Sequence, residues 1–445
     1  MRPSMALRDR HLADLHRRAR ELGVPRYRML PRDELIEAVE EREGRGATEP
    51  AGREEAIDAG FERPRHEPEE GREDEQSAKA EPRPSHRREP ESSEPPEPEP
   101  DTEAVVGVLD RMPQGYGFLR LSGLQEAEGD IYVSASQIRR CELRPGDEVS
   151  GPARPPRRGE RHRALVRVET VNGQSPEEER RHFEDLTPAP PRRRILALDA
   201  ELDPLVRAVD LLGPLGFGQR VLVLAQPRSG RTTLLRALGS AISETDVHVC
   251  VVLADERPEE VPQWRGRVPE AEIFAATAEE EPREQVREAE LAMGHAKRLA
   301  EAGGDVVVLI DSLSRLALGY RDPGRVKRMF GVGRELDEEG AGSLTVIATV
   351  LETDDRGSEV RAALETTENL LLRLDADLAA KGVFPSLVAL DTRASGEEEL
   401  RDPDELEKMR RLRAELAEME PEEAARALAE QIAATASNAE LLSRL

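Results

Sequence analysis

Leu224-Ala225-Gln226-Pro227-Arg228-Ser229-Gly230-Arg231-Thr232-Thr233 lies between an apolar run ending at Leu224 and a helical run, LLRALGSAI (234–242). An apolar strand, a Gly- and Ser-containing loop and a helix, in that order, make a phosphate-binding loop. The helix N-terminus presents backbone N–H groups to phosphate oxygens, and the Thr232 hydroxyl is placed to join a Mg²⁺ shell. Two positions depart from the usual loop. Ala225 stands where a first Gly belongs, and Arg231 stands where a Lys belongs. An ammonium is a compact point charge, whereas a guanidinium is larger and planar, so the exchange changes the site. The chain has 5 lysines against 60 arginines, so a general drift toward arginine accounts for part of it.

Working outward, VLVLA (221–225), VCVVLAD (249–255), VVVLID (306–311) and SLTVIATV (343–350) are continuous apolar runs. Such runs mark parallel strands covered on both faces, here a RecA-like α/β P-loop domain over 201–401. Asp311 ends one of them, the place for a carboxylate on the magnesium shell, and Glu256 follows another as a candidate to polarise an attacking water.

Upstream, VVGVLD (105–110), YGFLRL (116–121), DIYVSAS (130–136), DEVSG (147–151) and ALVRVETV (164–171) alternate with turn signals at Pro113-Gln114-Gly115 and Pro145-Gly146-Asp147. Five short strands over 103–175 predict a small OB/cold-shock-like barrel. Tyr116 and Phe118 are two residues apart, so they share a strand face, and Tyr132 on a nearby strand extends the platform. Exposed aromatic faces stack unpaired bases. Arg120, Arg139, Arg140, Arg154, Arg157, Arg158 and Arg161 surround them and are placed to follow a phosphate backbone. With aromatics at only 3% of the chain, a cluster of this kind points to single-stranded nucleic acid rather than to core packing.

The remaining segments follow from composition. Residues 1–43 read as a small helical domain, with Leu12, Leu15, Ala19 and Leu22 at helical spacing and Leu35, Ile36 and Val39 restarting it. Residues 44–102, rich in Pro, Glu, Ser and Arg, are expected to stay disordered as an acidic linker. Residues 176–200 connect the barrel to the P-loop domain, and 402–445 are helical. The net charge of -26 argues against general adhesion to nucleic acid, but a sum over segments leaves room for a basic surface. Cys141 and Cys250 have no partner spacing, which excludes a disulfide framework and a zinc site. No apolar run reaches the roughly 20 residues of a membrane helix and no signal peptide is visible, so a soluble, cytoplasmic protein is expected.

Barrel and nucleotide domain in this order resemble the bacterial transcription termination factor Rho. The resemblance rests on GYGFLR, DIYVSASQIRRCELRPGDEVSG, PPRRGERHRAL, DLTP, DERPEEV, DSLSRLALGY, GSLTVIAT and GVFP, over roughly 103–435, with a weaker match at 8–43. It implies a homo-hexameric ring that binds C-rich single-stranded RNA, threads it with ATP hydrolysis and releases transcripts from RNA polymerase. It further implies base contacts by Tyr116, Phe118, Arg120, Tyr132 and Glu160. His162 stands where the family usually has Tyr. For ATP and Mg²⁺ it implies the loop Arg228, Ser229, Gly230, Arg231, Thr232 and Thr233, the catalytic residues Glu256, Arg231 and Asp311, and adenine stacking on Phe384. Arg257 and Arg315 match positions that couple the site to its neighbours.

Four departures fall in the motor. They are Arg231, a pore loop missing after Tyr320, Glu365 where a pore-loop Lys belongs, and Glu397-Glu398-Glu399 where an arginine finger belongs, with Arg393 or Arg401 as substitutes. Two readings follow: an ATP-driven termination factor, or a Rho-derived RNA-binding protein with weak or absent ATPase and helicase activity.

Overall fold

The barrel closes through its first strand. β1 (Glu103–Arg111) pairs with β2 (Gly117–Arg120), which pairs with β3 (Ile131–Val133). The circuit then runs through β5 (Arg163–Leu165) and β4 (Glu148–Arg154) back to β1, with β6 (Thr170–Val171) on the far side of β4. The computed structural model describes residues 102–121, 127–320, 322–352 and 355–445, together with positions 22, 36, 38 and 39. Apart from those four positions, the helical domain expected over 1–43 and nearly all of the linker expected over 44–102 lie outside the described residues, as does Arg321. Leu109, Leu119, Ile131, Val133, Val149 and Ala153 fill the barrel, all fully buried.

Two of the five runs end differently from the expectation. DIYVSAS leaves the sheet at Ser134, whose side chain accepts from Gln137 N while Gln137 Oε1 accepts from Ser134 N. This reciprocal cap starts a helix at Ala135–Arg140. ALVRVETV, read as one strand, is split into β5 and β6 where the Arg167 carbonyl crosses Gly151. A Cβ on Gly151 would lie 2.1 Å from that oxygen.

The second sheet holds β8 (Arg220–Ala225), β9 (His248–Glu256), β10 (Glu272–Thr277), β11 (Asp305–Asp311), β13 (Ser343–Leu351) and β14 (Leu370–Leu374). They run parallel in the order β10-β9-β11-β13-β8-β14, with short β15 (Arg393–Ala394) antiparallel at one end. A side ladder of β7 (Pro188–Ala189) and β12 (Arg334–Leu336) joins β13. Apolar cores cover both faces. One includes Val221, Val223, Leu235 and Leu309, and it also takes Met409, Leu412 and Leu416 from the helix Pro403–Ala417 and Leu428 from Pro421–Ala433. The segment 402–445 is therefore packed into the nucleotide domain's own core.

Barrel and sheet belong to one compact unit from Pro100 onward. The helix Pro282–Glu301 joins them. Near its start, Arg287 donates to Asp110 of β1. Toward its end, Gly146 lies so close that a Cβ would sit 2.3 Å from His295 N, and Gly146 has φ +87°, which suits glycine. His295, fully buried, contacts the Gly146 carbonyl at 3.0 Å through Nδ1 and Glu272 at 3.1 Å through Nε2. Glu301 receives Arg144 and Arg298, both at 2.8 Å, and accepts from Phe183 N at 2.7 Å. Val108 of β1 packs in the same core as Val286 and Ala289 of this helix.

Burial alone would depress the His295 imidazolium, but Glu272, the Gly146 carbonyl and Glu148 outweigh it and push the pKa up to about 9. A folded-state pKa above the unfolded value of about 6.5 gives stability that is full below that value. It is lost as pH rises through about 9. The melting temperature of His295→Gln is therefore expected to lie below that of the unmodified protein at pH 6, with the gap closing as the pH is raised past 9. A gap that stays constant across that range would contradict the ion pair.

Candidate nucleic-acid and nucleotide sites

On the barrel, the register places Phe118 directly opposite Tyr132. The ring centroids of Tyr116 and Phe118 are 5.8 Å apart, those of Tyr116 and Tyr132 5.6 Å, and those of Phe118 and Tyr132 6.0 Å. His162 joins at 5.0 Å from Phe118. Four rings expected from sequence thus form one patch, open enough that Tyr132 is 36% exposed. Glu160, two residues before His162, is exposed. Arg154 holds it at 2.6 and 2.9 Å and Arg157 N donates to it at 2.9 Å, which lowers its pKa to about 2. It is a fixed, ionised acceptor. Arg139, Arg140, Arg157, Arg158 and Arg161 are exposed.

Arg120 departs from its expected place among the base-contacting residues. It lies on the aromatic strand, yet it is 3% exposed, paired with Asp110 and Asp130 and 5.9 Å from the Phe118 ring. Strand parity alone could not show this, because a guanidinium flanked by two carboxylates is drawn beneath the rings rather than presented to solvent. Asp110, shared between Arg120 and Arg287, is the residue that sequence reasoning missed here. Its helix partner lies 177 residues away.

In the nucleotide domain, Ala225 is the last residue of β8 and pairs with Leu351 and Leu374. Extended backbone there needs no Gly, which explains the first departure. The turn proper uses positive φ at Arg228 (65°) and Gly230 (92°), after which the helix Arg231–Ser243 begins. Ser229 is buried, donates to the Gln226 carbonyl at 2.7 Å and has its own carbonyl bound by Ser386 Oγ at 2.6 Å. Arg228 and Thr233 face solvent. Phe384 is 55% exposed beside the loop, 3.9 Å from where a Cβ on Gly230 would stand.

Behind the loop the expected catalytic residues converge. Arg231 donates through Nη2 to Glu256, and its Nε lies 3.2 Å from Asp311 Oδ1. Thr349 Oγ1 donates to the same Asp311 oxygen at 3.0 Å, and Thr232 Oγ1 donates to Asp311 Oδ2 at 3.1 Å. Burial and the neighbouring Asp311 push Glu256 up to about 7 against the pull of Arg231 and Arg315. Arg315 reaches the site through Asp255, at 3.0 Å, and Arg257 is exposed. A hydrated Mg²⁺ on Thr232 and Asp311, as expected from sequence, does not fit this arrangement: both carboxylate oxygens already accept from threonine hydroxyls, and the Arg231 guanidinium is ion-paired with one of them.

The other motor positions are also resolved. The helix ending at Tyr320 is followed almost at once by a second, Pro323–Phe330, capped by Asp322, where the resemblance implies a loop. Glu365 is exposed just before Thr366, whose φ is 68°. Arg401 is 5% exposed, pairs with Glu405 and donates to the Asp210 carbonyl at 2.7 Å, so it is internal. Arg393, at the sheet edge, is exposed.

Residues 105–177 match the family model for the Rho termination factor RNA-binding domain, and 206–331 match that for the ATP synthase alpha/beta family nucleotide-binding domain. Curated proteins named transcription termination factor Rho are similar over most of the chain. That of Rhodopirellula baltica is 37% identical, covering 76% of this chain and 70% of its own length. That of Bacillus subtilis is 40% identical over 67% and 75%, and that of Aquifex aeolicus 38% over 76% and 84%. Nothing in these similarities supports the second reading, of a Rho-derived RNA-binding protein with weak or absent ATPase and helicase activity.

Arg231 balances two largely buried carboxylates, and removing one member of such a cluster leaves uncompensated charge. Arg231→Met is expected to destabilise the nucleotide-free protein by about 3 kcal/mol, seen as a lower denaturation midpoint. An unchanged midpoint would show that the guanidinium is not held there.

Proposed function

Because the chain belongs to the family of transcription termination factor Rho, we propose that it binds nascent single-stranded RNA on its barrel and uses RNA-dependent ATP hydrolysis to release transcripts from RNA polymerase. The observation that carries this reading is the four-ring patch held in the same compact unit as the phosphate-binding loop. Bases stack on Tyr116, Phe118, Tyr132 and His162, while the exposed arginines follow phosphates and contribute a salt-dependent share of affinity. Glu160, fixed and ionised, is suited to accept from the exocyclic amine of cytosine, which supports a C-rich preference. Arg120 supports the patch from below.

The nucleotide is cradled by Arg228 to Thr233, with its adenine against Phe384. Glu256, with a pKa near 7, is the base for water, and Arg231 holds one of its oxygens. Arg315 and Arg257 carry the state of the site outward. A homo-hexameric ring places neighbouring subunits beside each site, and of the two arginines near the finger position only Arg393 is free to reach across. A cytoplasmic location goes with this role, and among the described residues no helix is long and apolar enough to cross a membrane.

Phe118→Ala is expected to weaken binding of a short C-rich RNA by about 1–3 kcal/mol, read by fluorescence anisotropy, without lowering stability to match. In the same preparation, C-rich RNA is expected to stimulate ATP hydrolysis. RNA binding unaffected by Phe118→Ala would remove the barrel patch from the account. RNA binding without any hydrolysis would leave the protein acting by binding alone.

A further inference from the structure

The disagreement between the site and a bound metal points to a different source of positive charge. Arg231 uses two of its three nitrogens on carboxylates, Nη2 on Glu256 and Nε on Asp311. The third, Nη1, is buried and among the described residues has no hydrogen-bond partner. A guanidinium keeps its proton under all ordinary conditions, and a buried donor without an acceptor is costly to leave so. The residue opens the P-loop helix, immediately after Gly230, where a nucleotide phosphate would lie against the helix N-terminus. An anionic oxygen there is the natural acceptor for Nη1.

The expected metal ligands are meanwhile committed. Asp311 accepts from Thr349 and Thr232 and is ion-paired with Arg231, and the Thr232 hydroxyl directs its proton at that carboxylate. A dication brought to the same carboxylate would share it with the guanidinium, whose Nε is 3.2 Å from Asp311 Oδ1, and like charges repel strongly in a site of low dielectric. The charge that would draw a metal, two carboxylates beside a polyphosphate, is already offset in part by Arg231. The neighbouring Arg236 adds a second positive field felt by both Asp311 and Glu256.

We propose that Arg231 is a resident cation in place of the metal: it bridges Glu256 and Asp311, donates Nη1 to a phosphate oxygen, and lets the site bind a nucleoside di- or triphosphate without Mg²⁺. This rests on the nucleotide-site reading above and specifies what that site requires. A lysine at 231 would not do the same, because one ammonium has no planar fork to span both carboxylates and the phosphate at once.

The test is the affinity of the full chain for a fluorescent ADP or ATP analogue, titrated in EDTA and again in excess MgCl₂, beside Arg231→Lys. The unmodified protein is expected to bind with affinities within about threefold of each other in the two conditions, and Arg231→Lys to bind about tenfold or more tightly with Mg²⁺ than without. Binding by the unmodified protein that is itself about tenfold tighter with Mg²⁺ would overturn the proposal while leaving the nucleotide site intact. No binding in either condition would overturn the nucleotide site and the proposal together.

Discussion

The helix Pro282–Glu301 meets the barrel near both of its ends, and the arrangement of both sites depends on that contact. Along the helix, the Asp110 contact at Arg287 lies about 12 Å from the Gly146 contact at His295 and about 20 Å from the Arg144 contact at Glu301. Ionic contacts of this kind add little net stability when buried, because desolvation cancels much of the attraction. Their geometry is demanding, however, and Val108 inserted into the core below them adds apolar burial that water does not undo. Domains joined by small polar interfaces move by default. Here the barrel is keyed to one helix of the nucleotide domain, so the Phe118 face stands at a set distance from the P-loop.

The nucleotide site shows how one substitution rearranges a constellation whose members stay in place. Strand, loop, helix and both carboxylates are where a P-loop enzyme has them. Replacing an ammonium by a guanidinium adds reach and two further donor nitrogens, and the structure uses them to tie Glu256 and Asp311 together. The Ala at 225 has no comparable effect, because it ends a strand and lies before the turn, where Gly230 supplies the left-handed backbone. Two departures six residues apart in one motif thus differ entirely in consequence.

Much of this was legible in the residues. The four long apolar runs became parallel strands because a strand covered on both faces needs nothing polar, and the aromatic residues of the barrel met because strand parity put them on one face. What parity could not show was Arg120, since its fate depends on Asp110, Asp130 and, through Asp110, a helix far along the chain. The strands over 370–374 and 272–277 do not stand out in the sequence, the first being short with Arg373 inside it and the second opening on Glu272. Ser134 reads as strand because it follows an alternating run, while its capping bond with Gln137 decides the local structure. The internal place of Arg401 depends on carbonyls of a helix 190 residues earlier and was likewise invisible.

The account holds that occupancy of one site alters affinity at the other through the docked helix, and thermodynamic linkage makes the two effects reciprocal. The most direct measurement is the dissociation constant of a short C-rich RNA with and without saturating nucleotide, on the full chain. The account predicts a change of about 5-fold or more, of the size typical of coupled sites. Identical affinities in the two conditions would contradict it, and would mean that the docked barrel and the P-loop share a structure without sharing a function.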